Sequence, residues 1–256
     1  MVLAPVESAR PHADRGTQHA LAIYLPRILG DWLTTTPQQA HRAVEGTLVF
    51  ADISGFTRLT ERLARLGRVG AEEMSDALDA TFTQLLGEAH ADGADLVKWG
   101  GDAVLLLFDG PDHASRAARA AFRMRARLRT VGRLTTSAGH ARLRMSVGLH
   151  SGTFHYFQVG DPALHRELIV CGPDVSTVAG VEAQANAGEI ALSPATCALL
   201  APDLLGAAVG DVGRLLRREP SLPEPVPSVV RQAWPEDVVR GLPVAVSYTH
   251  LTLPTN

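Results

Sequence analysis

Hydrophobic and polar positions along this chain follow two periods, which predict strands in some segments and helices in others. Short apolar or β-branched runs predict buried strands, and apolar residues three or four positions apart predict amphipathic helices. Strands are predicted at residues 47–51, 95–99, 104–108, 142–150, 153–159, 167–171 and 189–192. Helices are predicted at residues 56–66, 71–90, 111–131, 174–185 and 194–200. This order predicts the α+β class, as a sandwich with a ferredoxin-like βαββαβ core.

Residues 46–205 contain these elements and form the predicted folded domain, whereas the flanking segments differ in character. Residues 1–45 are predicted to be a polar N-terminal extension with one short helix near residues 21–33. Residues 206–245 are predicted to be a linker toward a downstream region, because prolines cluster there. Residues 246–256 depart abruptly from the alanine- and arginine-rich composition before them. They resemble a translated sequencing adapter, so we expect a non-native tail at the point where the natural chain was cut.

Composition and charge narrow the classes of function. The 256 residues carry a net charge of −3, which argues against a dedicated nucleic-acid or anionic-membrane binder. No apolar run reaches the roughly 18–20 residues that a bilayer span needs, and no secretory signal is evident. Two cysteines, Cys171 and Cys197, are too few for a disulfide framework. We therefore expect a cytoplasmic protein with no nucleic-acid partner and no membrane span.

Two aspartates at the ends of predicted strands are the candidate catalytic residues. Asp52 follows the apolar run 47–51, and Asp102 follows two glycines at the tip of a predicted hairpin. Taken alone, each is equally well explained as a turn residue. The two aspartates together favour a metal site, because burying a carboxylate without a cation is costly and one divalent metal site would compensate both charges. Residues 54–57 then offer free amides at a helix start, so the combination predicts a site for a metal–triphosphate complex.

Four segments of the chain carry distinctive motifs, namely residues 50–57 (FADISGFT), 98–103 (KWGGDA), 145–152 (MSVGLHSG) and 189–194 (EIALSP). Together they resemble landmarks of the class III nucleotidyl cyclases, and the first two resemble the metal motifs of this family. Within the family, residues 46–200 are most similar to the first catalytic half of soluble, bicarbonate-regulated adenylyl cyclases and their bacterial relatives. The resemblance implies the same α+β sandwich, dimerising with a second cyclase domain.

The resemblance also implies a two-metal mechanism. Asp52, Asp102 and the backbone carbonyl of Ile53 would hold two Mg²⁺ ions, for which Mn²⁺ can substitute. The implied triphosphate-binding residues are Ser54, Gly55, Phe56 and Thr57. One ion would lower the pKa of the ribose 3′-hydroxyl, and the other would clamp the phosphates as pyrophosphate leaves. In-line attack of the 3′-oxygen on the α-phosphate would then convert ATP, or GTP, into the cyclic nucleotide.

Sites of this family lie at a dimer interface, and the part that the opposite subunit supplies is altered here. Lys98, the only lysine of the chain, falls at the position of the base-reading lysine. Ile169 replaces the base-reading acid, and Ser176 and Gly180 replace the asparagine and arginine that stabilise the transition state. Losing one such cationic stabiliser typically costs about 10³-fold in rate. The resemblance therefore implies half a site, completed by a second cyclase domain that most simply lies on the same natural chain.

Other hypotheses come from the same chain. A non-catalytic cyclase-like module would use Asp52, Asp102 and Lys98 to bind nucleotide, metal or bicarbonate and would activate a partner domain. His150 and His155 would face each other across the hairpin predicted about residues 151–152, but two ligands are too few for a zinc site. The many arginines between residues 111 and 148 favour a solvated face, because no aromatic platform for nucleic acid accompanies them.

Overall fold

The computed structural model of the protein describes residues 26–161, 165–210 and 213–223. Within them the chain forms an eight-stranded sheet, a separate two-stranded hairpin and helices on both faces of the sheet. This architecture confirms the predicted α+β class. None of the helices in these ranges is long and apolar enough to cross a bilayer. The predicted tail and most of the predicted linker and N-terminal extension lie outside the described residues.

The helices and strands are numbered in chain order. The helices are α1 (Arg27–Thr35), α2 (Phe56–Ala64), α3 (Arg68–Ala91), α4 (His113–Val131), α5 (Pro173–Glu182) and α6 (Pro194–Ala198). The strands are β1 (His41–Ser54), β2 (Asp95–Gly100), β3 (Ala103–Asp109), β4 (Arg133–Thr136), β5 (Gly139–Arg142), β6 (Arg144–Asp161), β7 (His165–Cys171), β8 (Ile190–Leu192), β9 (Leu205–Val209) and β10 (Gly213–Leu216).

The strand order of the main sheet is β2-β3-β1-β6-β8-β10-β9, and β7 pairs with the second half of β6. The neighbours among β2, β3, β1 and β6 are antiparallel. Helices α2 and α3 connect β1 to β2, and α4 lies between β3 and β6. These elements make the predicted ferredoxin-like βαββαβ core. Strand β8 runs parallel to β6 and extends the sheet beyond that core.

Strand β6 corrects the prediction of two strands joined at residues 151–152. Ser151 and Gly152 pair with β1 in unbroken register, so β6 is one continuous strand. Gly152 permits a close approach and does not form a turn, because a Cβ there would lie 2.8 Å from Cγ of Asp174 on α5. The predicted arrangement of His150 and His155 is therefore wrong, since residues five apart on one strand point to opposite faces.

The sheet also extends past both predicted bounds of the domain. Strand β1 begins at His41, before the predicted start at residue 46. Strands β9 and β10 occupy part of the predicted linker and join the sheet through β8. The hairpin of β4 and β5 was not predicted either. These strands are short or half-exposed, so their apolar pattern is weak. Their extended conformation depends on pairing with a neighbouring strand, which a local sequence pattern does not reveal.

Each face of the sheet carries its own apolar cluster, and β1 contributes to both. Val49, Ala51 and Ile53 pack beneath α2, α3 and α4, whereas Leu48 and Phe50 pack with α1 and α5 on the opposite face. Helix α4 has the amphipathic pattern predicted for residues 111–131. Its buried residues include Ala114, Ala117, Ala121, Met124 and Leu128. Burial on both faces explains why residues 48–51 are apolar without alternation.

A chain of hydrogen-bonded polar side chains crosses the sheet and ends at the first turn of α5. Its members in order are His113, Thr47, Ser151, Thr196, Ser193 and His150, with separations between 2.7 and 3.1 Å. His150 Nε2 then lies 3.3 Å from Oδ1 of Asp174. The other carboxylate oxygen of Asp174 accepts the backbone N–H of Thr153 at 2.9 Å. This network fixes the N-terminal end of α5 against β6.

Arg119 is a buried cation that ties three segments together. Its Nε donates to the carboxylate of Asp92, just after α3, at 2.8 Å. Its NH1 donates to the backbone carbonyls of Leu222 and Pro223, each at 3.0 Å. Only 2% of the Arg119 side chain and none of the Asp92 side chain is exposed. The ion pair therefore fixes the end of α3 to α4, and the two hydrogen bonds to backbone carbonyls fix the segment after β10 to the same helix.

We expect Arg119→Ala to lower the free energy of unfolding by about 3–5 kcal/mol, because it leaves the Asp92 carboxylate buried without its cation. The matched control is Arg127→Ala, which breaks a more exposed ion pair between α4 and Glu88 and should cost about 1 kcal/mol or less. Urea denaturation at neutral pH measures both. Equal losses in the two variants would contradict the role of burial at Arg119.

Candidate metal and nucleotide site

Asp52 lies near the end of β1, between two paired strands. Its register partners are Ala103 on β3 and Ser146 on β6. Because side chains alternate along a strand, Asp52 shares the sheet face of Leu48 and Phe50. The side chain is half-buried, and no residue in the described ranges donates a hydrogen bond to it or forms an ion pair with it.

Asp102 occupies the two-residue turn between β2 and β3. Gly101 has a φ of +73°, which favours glycine and suits the first position of a two-residue hairpin turn. The backbone carbonyl of Asp102 accepts the N–H of Ile53 at 3.1 Å, and this bond holds the turn at the end of β1. The structure thus brings together the two predicted aspartates. Ile53 can contribute only its backbone carbonyl, because its hydrocarbon side chain has no ligand atom and is buried in the core.

The electrostatic environment of Asp52 is dominated by burial and by other acids. Burial, the charge of Asp102 and the charge of Glu182, in decreasing order, raise the pKa of Asp52 from 3.8 to about 6. Glu182 is the last residue of α5, and its carboxylate accepts the hydroxyl hydrogen of Ser146 at 2.5 Å. Burial also raises the pKa of Glu182, which this hydrogen bond partly opposes. Three carboxylates therefore face one region with no cation to compensate them among the described residues.

The donor set fits a magnesium site that water and substrate complete. Mg²⁺ prefers oxygen ligands, keeps several waters, and usually takes one or two protein carboxylates together with substrate phosphates. Asp52 and Asp102 are two such carboxylates, and Ile53 offers a carbonyl. In the part of the chain that the structure describes, no three His, Cys, Asp or Glu side chains are arranged to hold a metal by themselves. The two aspartates would therefore bind the cation jointly with water or phosphate oxygens.

The start of α2 lies directly after Asp52 and offers an anion site. Gly55, with a φ of +108°, precedes the helix, and no side chain caps its first turn. The first-turn amides are therefore free for an anion. The Phe56 side chain is buried and Thr57 is exposed, so Phe56 would contribute its amide alone. The Ser54 hydroxyl donates to the carbonyl of Arg144 at 3.4 Å.

Lys98, at the position of the base-reading lysine, forms an ion pair with an acidic side chain. Its Nζ lies 3.3 Å from Oε1 of Glu167 on β7, and the two side chains are 17% and 29% exposed. Glu167 precedes the predicted acid position, Ile169, by two residues, so the two side chains share one face of β7. The lysine therefore has an acidic partner, Glu167, on the same strand as Ile169, which occupies the position of the base-reading acid.

Ser176 and Gly180 lie on successive turns of the exposed face of α5, whose buried face carries Val178 and Val181. A Cβ at Gly180 would have no neighbouring atom within 4 Å. Neither position has contacts that explain its residue type. Both are therefore accessible to a partner and lack the amide and the guanidinium that the resemblance associates with them.

Sequence reasoning missed Glu167, Glu182 and Ser146. The two-residue period of β7 could have identified Glu167 as the acid beside Ile169. The position of Ser146 opposite Asp52 depends on the pairing of β1 with β6, which the erroneous hairpin at residues 151–152 obscured. Glu182 lies 130 positions after Asp52 in the sequence, and no local pattern connects them.

In metal-free protein, Asp52→Asn should stabilise the fold at pH 7.5 and leave it nearly unchanged at pH 4. The pKa of Asp52 is higher in the folded chain than in the unfolded one, so stability is lost as the pH rises through about 6. Because the group is half-exposed, we expect a gain of only about 1 kcal/mol. Urea denaturation with EDTA at both pH values tests this. Asp79→Asn, at an exposed position of α3, is the control; a gain that does not depend on pH would contradict the prediction.

Comparisons with known proteins identify the family. The family model described as "Adenylate and Guanylate cyclase catalytic domain" matches residues 38–213. The chain is 26% identical to adenylate cyclase type 10 of Oryctolagus cuniculus over 180 residues, 68% of this chain and 11% of the relative. It is 28% identical to adenylate cyclase type 10 of Homo sapiens over 160 residues, 59% of this chain and 9% of the relative. The chain thus spans about a tenth of the length of these relatives.

The fold matches solved structures over the same region. The crystal structure of the adenylyl cyclase CyaB from P. aeruginosa superposes with a TM-score of 0.56 at 22% identity, covering 71% of this chain and 99% of that one. At this identity the likeness shows the fold alone. The family match covers more than half of the chain and includes Asp52, Asp102 and the start of α2. The chain therefore belongs to the adenylate and guanylate cyclase catalytic domain family.

Proposed function

We propose that this chain is the metal-bearing half of a cytoplasmic nucleotide cyclase that converts ATP into cyclic AMP and pyrophosphate for intracellular signalling. The observation that carries the proposal is the juxtaposition of Asp52 and Asp102 beside the uncapped start of α2. On the exposed face of α5, by contrast, Ser176 and Gly180 lack the side chains that stabilise a transition state. A second cyclase domain would supply them. The choice of ATP over GTP rests on the relatives, which are named adenylate cyclases.

The residues of this chain would bind and orient the substrate. The Mg²⁺ ions, or Mn²⁺ in their place, would supply Lewis-acid stabilisation of the ribose 3′-oxygen and of the leaving pyrophosphate. Asp52, Asp102 and the Ile53 carbonyl would hold them, and the first-turn amides of α2 would bind the triphosphate. The 3′-oxygen forms a bond to the α-phosphorus, the bond to the β-phosphate oxygen breaks, and the hydroxyl proton passes to solvent. Protonation of Asp52 competes with cation binding, so metal occupancy should fall below about pH 6.

A second candidate is a non-catalytic module that binds nucleotide, metal or bicarbonate and activates a partner cyclase domain. The observation that favours it is the Lys98–Glu167 ion pair. These two side chains could bind a nucleotide base or an anion without taking part in a reaction. The altered positions on α5 fit this hypothesis as well. The two candidates differ in whether turnover requires the carboxylate of Asp52.

The first experiment reconstitutes the site from two chains. The partner is a purified cyclase domain that carries the asparagine and arginine but has both of its own metal aspartates replaced by asparagine. We expect cyclic AMP from the mixture with ATP and Mg²⁺ and at least about 10³-fold less from either chain alone. Asp52→Asn should abolish the output of the mixture. Full activity of the isolated chain would contradict the half-site. No output from this mixture, together with activation of a partner that keeps its own metal aspartates by both the parent chain and Asp52→Asn, would favour the regulatory module.

The second experiment restores the missing groups on this chain. The double variant Ser176→Asn and Gly180→Arg should give a homodimer with measurable cyclase activity, because each subunit would then supply both halves of a site. Both positions are exposed, and Gly180 has open space for a side chain. Cyclic AMP formation is measured against the same double variant with Asp102→Asn, which should be inactive. A double variant that dimerises, binds Mn²⁺–ATP and stays inactive would contradict the assignment of these positions.

A further inference from the structure

Glu182, the acid from α5 that faces Asp52, has no role in the proposed catalytic steps. Its carboxylate is half-buried and makes one described hydrogen bond, from the hydroxyl of Ser146. Ser146 lies directly opposite Asp52 in the pairing of β1 with β6. Glu182 thus reaches the site from a different element, through the residue next to Asp52. No cation in the described part of the chain pairs with it.

The close contact of α5 with β6 places Glu182 there. Gly148, two residues after Ser146, has no side chain, and a Cβ at this position would lie 2.5 Å from the nitrogen and 2.8 Å from Cα of Glu182. The C-terminal end of α5 therefore rests directly on the strand backbone. At the other end, the contacts of Asp174 with His150 and Thr153 hold the helix. Because both ends are fixed, the carboxylate of Glu182 has a defined position beside Asp52.

The hydrogen bond between Ser146 and Glu182 also affects Asp52. A serine hydroxyl has one hydrogen to donate, and that of Ser146 is directed to Glu182. The hydroxyl of the residue paired with Asp52 is therefore not available to donate to it, and the oxygens of Asp52 receive no described hydrogen bond. The result is an acid with free lone pairs in a field of additional negative charge. That is a favourable environment for a divalent cation.

We infer that Glu182 is a positioning residue of the metal site, which strengthens binding of a divalent cation at Asp52 through its charge and its bond to Ser146. It does not ligate the ion, since no described group of three acidic or imidazole side chains has the geometry to do so. This inference rests on the proposed function, because it assumes that Asp52 and Asp102 hold the cation. Residues that support metal ligands from outside the coordination sphere typically contribute about 10–100-fold in metal affinity.

The test measures binding of Mn²⁺ alone to the full chain, without nucleotide, by the electron paramagnetic resonance signal of the free ion at pH 7.5. Glu182→Gln keeps an acceptor for Ser146 and removes only the charge, and we expect about tenfold weaker binding. Glu182→Asp should restore affinity to within about threefold, because it restores the charge. Glu88→Gln, on α3 and paired with Arg127, removes an equal charge elsewhere and should bind Mn²⁺ as the parent chain does.

The outcomes separate this inference from the proposed function. If Asp52→Asn and Asp102→Asn abolish Mn²⁺ binding while Glu182→Gln binds like the parent, the inference is wrong and the metal site stands. If neither aspartate variant weakens binding, the metal site of the proposed function fails and the inference fails with it. A structural role for Glu182 predicts that Glu182→Asp loses as much affinity as Glu182→Gln, which would also overturn the inference. Thermal unfolding of each variant confirms that it is folded.

Discussion

Strand β1 is paired with β6 along its whole length and with β3 over residues 46–52, and this double pairing fixes where the side chain of Asp52 lies. A register slip of one residue would exchange Asp52 for Ile53 and direct a carboxylate into the apolar cluster beneath α2 and α3. The apolar residues that alternate on both faces of β1 oppose such a slip, because each is buried in one of the two clusters. The core therefore determines the position of the acid, and the chemistry depends on the same register.

Helix α5 is the second element that this register positions. Gly152 and Gly148 lie on β6 where α5 crosses it, and a side chain at either position would collide with Asp174 or Glu182. The two glycines thus let one helix lie flat on the strand at both of its ends. Because Ser176 and Gly180 lie on the outer face of this helix and Glu182 at its end, a displacement of α5 would move the exposed positions and the third acid together.

The sequence predicted the strands, helices and aspartates whose signals are local. The apolar run before Asp52, the glycines before Asp102 and the alanine stripe of α4 each correspond to one element, and the structure contains all three. Prediction from the sequence was wrong where one residue type is compatible with two structural roles. Gly152 predicts a turn from its residue type alone, but in the structure it permits the close approach of α5, and β6 is therefore one strand and not two. Glu182 and Ser146 could not be found, because their relation to Asp52 arises only from packing between distant segments.

The partners of the acidic side chains in this fold support a functional reason for the charges at the end of β1. The buried acids among the described residues, Asp92 and Asp95, each have partners, although burial still raises the pKa of Asp95 and one oxygen of Asp92 accepts no hydrogen bond. Asp92 pairs with Arg119, and Asp95 accepts the first amides of α1 at 2.6 and 2.8 Å. Asp52, in contrast, receives no described hydrogen bond or ion pair and lies beside two further carboxylates, and burial first, then the charges of these two acids, raise its pKa. An acid without a protein partner, in a fold whose buried acids have one, supports the proposed role of Asp52 in binding a cation from solution.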